Sequence, residues 1–146
     1  MVLTKSDPVE LANGLRPALL RLNRALRREL GPIGITGGQA ALLHAVHTNP
    51  GIGIRELAAL EGVSAPAMTA YVDRIEALGL VARRRSDVDR RRVELTVTEP
   101  GLRVLRNARR RRTAWLAARL RRLDDEERAA VEAALPALHR LLEVEA

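Results

Sequence analysis

Cysteine is absent from the 146 residues, which excludes a disulfide framework and thiol-based redox sensing. Phenylalanine is absent too, and one Trp and one Tyr are the only aromatic residues. A core therefore has to be assembled from Leu, Val, Ile and Ala, a palette that favours helices over a β-sandwich. Lysine is almost missing: Lys5 apart, every positive side chain is an arginine. The N-terminal MVLTKSDPVE has no apolar run of the kind an export signal needs, so the expected location is the cytoplasm. Charge vanishes between residues 30 and 54, yet Pro32, Gln39, Asn49, Pro50, two histidines and several glycines interrupt that stretch, which excludes a transmembrane helix. No nucleophile elbow, Walker loop or dinucleotide fingerprint occurs, and the glycine-rich 34–38 lacks the lysine and spacing of a phosphate loop. Neither catalysis nor a cofactor is expected.

With 47% apolar and 29% charged residues, the chain is neither a disordered tail nor a collagen-like fibre. One globular domain of this length buries about 68–70% of its unfolded surface. The formal charge is +7, unevenly spread: residues 83–122 hold 15 basic and 4 acidic side chains, whereas residues 1–82 hold 8 and 7 and residues 123–146 hold 2 and 7. A single cationic stretch calls for a polyanionic partner, nucleic acid foremost and a membrane surface second.

Helix punctuation is legible along the chain. Asp7 with Pro8 and Glu10 opens a first helix that runs to about Leu30, with a kink expected at Pro17, and stops at Gly31 and Pro32. Thr36 and Gln39 form a capping box for a second helix carrying Leu42, Leu43 and Val46, which ends before Asn49, Pro50 and Gly51. A short helix at about 54–61 follows. Gly62-Val63-Ser64 then makes a tight turn into a helix over roughly 65–78, where Met68, Tyr71, Val72, Ile75 and Leu78 share one face that should be buried. From Leu80 the period changes to two. Leu80–Arg85 pairs with the alternating Val93, Leu95 and Val97 across Ser86-Asp87-Val88-Asp89, a β-hairpin with a cationic tip. A long helix from about Glu99 to Leu123 and a last one from Asp125 to about Leu142, opened by Asp124 with Glu127, complete a mainly α chain.

Leu57-Ala58, Gly62-Val63-Ser64 and Met68-Thr69 have the spacing of a helix-turn-helix, with Ala58 small enough for two helices to cross closely and Val63 and Met68 sealing the joint. A basic hairpin immediately after it is the winged variant; the plain alternative is a helical hairpin inside a larger bundle. The small Ala65, Pro66, Ala67 and Ala70 permit close approach to a major groove and contact with thymine methyl groups, while Thr69 and Arg74 can donate hydrogen bonds. Arg74 either reads guanine bidentately, or holds a phosphate, or pairs with Asp73 or Glu76 on its own helix. Of Arg83, Arg84, Arg85, Arg90, Arg91 and Arg92, strand alternation sends half to each face. An arginine at the tip can enter the minor groove with Asp89 holding its guanidinium, and the bland counterpart is a solvated charge run.

These pieces, with Ile35-Thr36 and Gln39, Glu56-Leu57-Ala58, Val72-Asp73-Arg74-Ile75-Glu76, Gly79-Leu80-Val81, Asp89-Arg90-Arg91 and Leu95-Thr96-Val97-Thr98-Glu99, resemble the MarR (multiple antibiotic resistance regulator) family of winged-helix transcription factors over nearly the whole chain. The resemblance implies a triangular homodimer in which residues 32–98 form the winged helix-turn-helix region and residues 7–31 and 99–146 supply dimerisation helices. It implies Ser64, Ala65, Pro66, Ala67, Thr69, Ala70 and Arg74 in the major groove, Arg84, Asp89, Arg90 and Arg91 on the wing, and Thr36 and Gln39 at the DNA backbone. An effector cavity is expected near Ala40, His44 and His47, although Ala40 stands where the family pattern has an aromatic residue. Gly37 and Gly38 loosen the start of the second helix, and Pro136 interrupts the last one.

Dimerisation also follows from the residues. Leu11, Leu15, Leu19, Leu22 and Leu26, with Leu135, Leu138, Leu141 and Leu142, exceed what one small winged domain can cover. Two-fold symmetry predicts an inverted-repeat operator. At least one of Arg109–Arg112 must face other protein, expected against Asp124–Glu127. His44 and His47, three apart on one helix, can chelate zinc, but two ligands are not a site, and the simpler expectation is two partly buried histidines. The expected function is a sequence-specific regulator, a repressor released by a small molecule; a nonspecific DNA-compacting protein and a metal-responsive regulator are the alternatives.

Overall fold

The computed structural model describes residues 6–143. The chain divides into two compact units at Arg111 and Arg112, so that the division falls inside the fifth helix.

The first unit opens with helix α1 (Pro8–Arg28), where the Asp7 carboxylate accepts the Val9 N–H and Pro8 occupies the first turn. It has no buried residue. A 3-10 turn at Gly31–Ile33 leads to helix α2 (Gly37–Thr48), opened by the expected capping box: Thr36 Oγ1 accepts the Gln39 N–H at 3.1 Å and Gln39 Oε1 accepts the Thr36 N–H at 3.0 Å. Helices α3 (Ile54–Glu61) and α4 (Ala65–Ala77) follow, then strands β1 (Val81–Arg85) and β2 (Val93–Val97), paired antiparallel with Val81 opposite Val97 and Arg85 opposite Val93. Helix α5 (Glu99–Leu120) begins in this unit. Leu43, Leu57, Met68, Val72, Ile75 and Leu95 are fully enclosed and form the centre of one aliphatic core, as the shortage of aromatic residues requires.

Burial corrects the expected face of α4. Met68, Val72 and Ile75 point inward, but Tyr71 is 42% and Leu78 is 52% exposed. Three residues at i, i+4 and i+7 already fill the contact with the core; Tyr71 stands on the flank of that stripe, and Leu78 is the C-cap, past the last helical turn. The strand alternation is also incomplete. Leu95 is buried, Val97 half-buried and Val93 exposed, since Val93 lies where the hairpin leaves the core.

Two features lock the hairpin to the helices. The Leu95 N–H donates to the Ile52 carbonyl at 2.9 Å, while Arg92 donates to the Gly51 carbonyl at 3.0 Å and pairs with Glu56 at 2.5 Å. The segment before α3 thus lies along the edge of β2 and covers otherwise unpaired backbone. At the hairpin's foot, Thr98 Oγ1 donates to the Gly79 carbonyl at 2.6 Å and accepts the Gly101 N–H at 3.1 Å, and the Thr98 N–H donates to the Leu80 carbonyl. Gly101 is buried in the first turn of α5 directly against that carbonyl.

Within the arginine run Arg112 is half-buried, and Arg111 has a protein partner, Glu29 rather than the expected Asp124–Glu127. The Arg111 Nε donates to the Glu29 carbonyl at 2.8 Å and its NH2 pairs with the Glu29 carboxylate at 3.3 Å. The C-cap of α1 leaves a carbonyl open for a cation, which is the favourable polarity at a helix end.

The second unit consists of the rest of α5 and helix α6 (Asp125–Glu143). Asp124 accepts the Glu127 N–H at 2.7 Å while Glu127 accepts the Asp124 N–H at 3.0 Å, a reciprocal cap, and Arg128 pairs with Asp125. Arg119 sits over Trp115, 5.0 Å from the ring centroid. Pro136 lies within the helix, and α6 buries no residue: Leu135, Leu141 and Leu142 are exposed.

Candidate nucleic-acid interface

The interface grows out of one turn. Gly62 adopts φ 66°, in the left-handed region that glycine enters without steric cost, and ends α3 with its N–H on Ala59. The Val63 N–H returns to the Ala58 carbonyl at 3.0 Å, and Ser64 Oγ accepts the Ala67 N–H at 3.2 Å to start α4. Ser64 is thereby occupied with capping. Because Met68, Val72 and Ile75 anchor α4 from one side, Pro66, Thr69, Ala70, Asp73 and Arg74 are exposed on the other, with Ala65 and Ala67 half-buried at the margins. Thr69 Oγ1 donates to the Ala65 carbonyl at 3.0 Å, which leaves its lone pair and methyl group outward rather than the donor expected from the sequence.

Arg74 is not tied to the carboxylates beside it. Arg83 of β1 takes both, pairing with Asp73 and, at 3.6 Å, with Glu76. Arg74 instead lies over the Tyr71 ring, 6.0 Å from its centroid, and makes no ion pair among the described residues. An arginine of the hairpin thus neutralises the acidic residues of α4 and leaves the other arginine available to a ligand. Arg83→Ala is expected to weaken binding to a DNA duplex by about 1 kcal/mol or less, the scale of a partly exposed pair, and in a titration the loss should be larger on the preferred sequence than on others, because Asp73 and Glu76 then compete for Arg74.

The hairpin loop is held from within. Ser86, buried at 5%, accepts the Val88 and Asp89 N–H groups at Oγ (3.2 and 3.3 Å), and the Ser86 N–H donates to the Arg92 carbonyl. Asp89 does not grip a guanidinium as expected. Its carboxylate accepts the Arg91 N–H at 3.0 Å, and Asp87 is the acid that pairs with an arginine, Arg84, at 2.6 Å. A two-residue reach favours the backbone donor, the geometry of an Asx turn. Arg85, Arg90 and Arg91 are exposed and carry no ion pair among the described residues. The sequence carried no signal for Ser86: a lone serine in a polar loop is indistinguishable from a solvated one until its burial is seen.

Thr36 and Gln39 meet at the start of α2, where the capping box consumes the acceptors and leaves the threonine hydroxyl hydrogen and the glutamine amide NH2 free to donate. The burial of Ala40, His44 and His47 departs from expectation. Ala40 is packed in the core, whereas His44 and His47 are exposed on α2 rather than partly buried, because a three-residue step keeps both histidines on the helix face opposite Leu42, Leu43 and Val46. None of the three lines either of two surface clefts, one of about 650 Å³ walled by Ile33, Leu80, Arg103 and Asn107 and one of about 480 Å³ between Arg27, Gln39, Tyr71 and Arg74. Among the described residues no group of three potential ligands gathers for a metal ion, and no helix is long and apolar enough to cross a membrane.

A helix-turn-helix whose outward face is relieved of its own carboxylates, continued by a cationic hairpin locked to its flank, defines a winged-helix DNA-binding protein. The sequence model of the MarR family matches residues 33–92. An HTH-type transcriptional regulator of Mycobacterium tuberculosis is 33% identical over 118 residues, 81% of this chain and 82% of that protein. A MarR family protein of Bacillus stearothermophilus superposes with a TM-score of 0.82 at 27% identity, covering 98% of this chain and 100% of that one. At 18% identity and a TM-score of 0.69, the same fold occurs in a mutant MepR of S. aureus bound to an oligodeoxyribonucleotide, over 90% of this chain and 97% of that one. The chain belongs to the MarR family and is a DNA-binding transcriptional regulator.

Proposed function

We propose that this regulator is a sequence-specific repressor that acts as a homodimer on an inverted-repeat operator and is released by a small molecule. The observation that carries the sequence-specific part is the freedom of Arg74: a guanidinium on the exposed face of α4, its neighbouring acids already paired with Arg83, has the bidentate fork that guanine O6 and N7 accept. Small residues on the turns of α4 before it, Pro66 and Ala70, let the backbone approach the groove. Thr36, Gln39, Arg90 and Arg91 supply donors for phosphates, which position the helix without reading sequence, while Arg84 is already engaged by Asp87.

Dimerisation is supported by apolar surface. Leu11, Leu19 and Leu22 on α1 and Leu135, Leu141 and Leu142 on α6 are exposed, and neither helix buries a residue within the single chain. Amphipathic helices left in this state are covered by a second copy in a two-fold assembly. Two copies place their α4 helices in successive major-groove segments, about 34 Å apart. A ligand that binds one spacing of those helices better than another shifts the population away from the operator-bound form, and an occupied promoter excludes polymerase.

Footprinting on the promoter beside the chain's own gene tests this reading. A short protected palindrome supports it; smeared protection on all sequences would instead make the protein a charge-driven compactor. Within the operator complex, Arg90→Ala or Arg91→Ala is expected to lower affinity and the salt dependence of log K by about one unit each, with the sedimentation coefficient of the dimer unchanged. Unaltered affinity in that titration would remove the hairpin from the mechanism.

A further inference from the structure

Arg27 lies in the last turn of α1, exposed, and forms no ion pair among the described residues. Nothing near it stabilises a cation. The Glu29 carbonyl and carboxylate at the end of α1 are taken by Arg111, and the first turn of α2 presents N–H groups, the wrong polarity for a guanidinium. Yet the side chain is seated rather than loose. It runs across Gly37 so closely that a Cβ at that position would stand 2.9 Å from Arg27 Cγ and Cδ and 2.8 Å from Nε. The glycine that loosens the start of α2 is thus the gap through which an arginine crosses from one helix to the next.

We propose that Arg27 is a phosphate contact of the operator complex, contributed by α1 and held in place by Gly37. The inference rests on α4 occupying the major groove, and it follows from where the seat opens. Arg27 stands on the wall of the cleft of about 480 Å³ that Thr36, Gln39, Tyr71 and Arg74 also line. Arg74 marks the side of that cleft turned toward bases, and the free donors of Thr36 and Gln39 mark the side turned toward the sugar-phosphate strand. Two guanidiniums against one acid, Glu61, leave the lining cationic. A strand bordering the groove that holds α4 runs past this mouth with one negative charge per about 3.4 Å of helix axis, so a phosphate comes within reach of a cation seated there. Arginine suits the position, since its stem packs on the bare backbone of Gly37 while its planar fork stays open to two phosphate oxygens. A side chain already laid against backbone loses less freedom on binding than a solvated one. Because α1 carries the contact, affinity for DNA depends on how that apolar helix sits against α2.

The test titrates the full-length protein, at several salt concentrations, against duplexes that the unsubstituted chain selects from a random-sequence pool. Arg27→Ala is expected to lower affinity about three- to fivefold, the scale of one partly exposed ion pair, equally on every duplex. The slope of log K against log salt should fall by about one unit. Arg27→Lys keeps the charge and should keep the slope. Gly37→Ala displaces the arginine at little cost to the fold, because what must yield is a flexible side chain. It should reproduce the loss of Arg27→Ala with an undiminished melting temperature, and the double variant should bind no more weakly than either single one. Unaltered affinity or slope in Arg27→Ala, a loss confined to one sequence, additive losses in the double variant, or an Arg27→Ala dimer that comes apart in sedimentation each overturns this inference alone. Failure of the unsubstituted chain to select any duplex overturns the DNA-binding mode on which it rests, and this inference with it.

Discussion

Arg74→Ala is expected to weaken operator binding by roughly 1–3 kcal/mol and to relax preference at a single base pair. Both halves of that expectation come from where the side chain lies. Were Arg74 paired with Asp73 or Glu76, its neighbours on α4, its removal would chiefly free a surface carboxylate and cost little. Arg83 holds those acids instead, and Arg74 is propped on the Tyr71 ring, which restrains the side chain before any ligand arrives and reduces the entropy lost on binding. Titration against a set of single-base operator variants separates the roles. Loss concentrated on one position identifies a base contact; equal loss on every variant, with a flatter salt dependence, identifies a phosphate contact. Lysine at this position keeps the charge but not the planar fork, so Arg74→Lys should restore general affinity and not the base preference.

Gly101→Ala is expected to destabilise the fold by about 3 kcal/mol, the upper end of the usual cost of overpacking, and to lower the melting temperature by about 10 °C. A Cβ there would run into the Leu80 carbonyl oxygen and come within 2.6 Å of Val97 Cγ1. Neither obstacle is the free end of a flexible chain. The Leu80 carbonyl already accepts the Thr98 N–H, and Thr98 in turn ties Gly79 to the start of α5, so relief would require opening the junction between the wing and α5. The same exchange at Gly14, in the exposed middle of α1 with nothing within 4 Å of the added atom, should be neutral or stabilising by up to about 1 kcal/mol through helix propensity alone. Calorimetric melts of the two variants check the contrast. Equal melting temperatures would mean that the α5 junction yields more easily than its hydrogen bonds indicate.

Local chemistry made much of this protein readable from its residues. The Thr36–Gln39 and Asp124–Glu127 caps, the left-handed Gly62, the Ser64 cap of α4 and the pairing of β1 with β2 all follow from side chains acting within a few positions of themselves, and each stands where the sequence puts it. The same reasoning faltered wherever a partner came from afar. Arg111 meets Glu29 across 82 positions, and Arg92 meets Gly51 across 41; no spacing rule reaches that far. Periodicity put Tyr71 on the buried stripe of α4 because it measures angle around a helix, whereas burial depends on how wide the facing surface is.

Order and chemistry along the chain thus determined the elements, their caps, the helix-turn-helix spacing and the cationic character of the hairpin, since hydrogen bonds to near neighbours and hydrophobic period are properties of short segments. Only the tertiary structure decided which arginines are free. Arg83 and Arg92 are turned inward to acids and Arg84 is held by Asp87, while Arg74, Arg85, Arg90 and Arg91 carry no such partner among the described residues. Identical side chains differ there solely through the carboxylates that folding brings beside them, and charge in water is available to a ligand only where the fold has not already neutralised it.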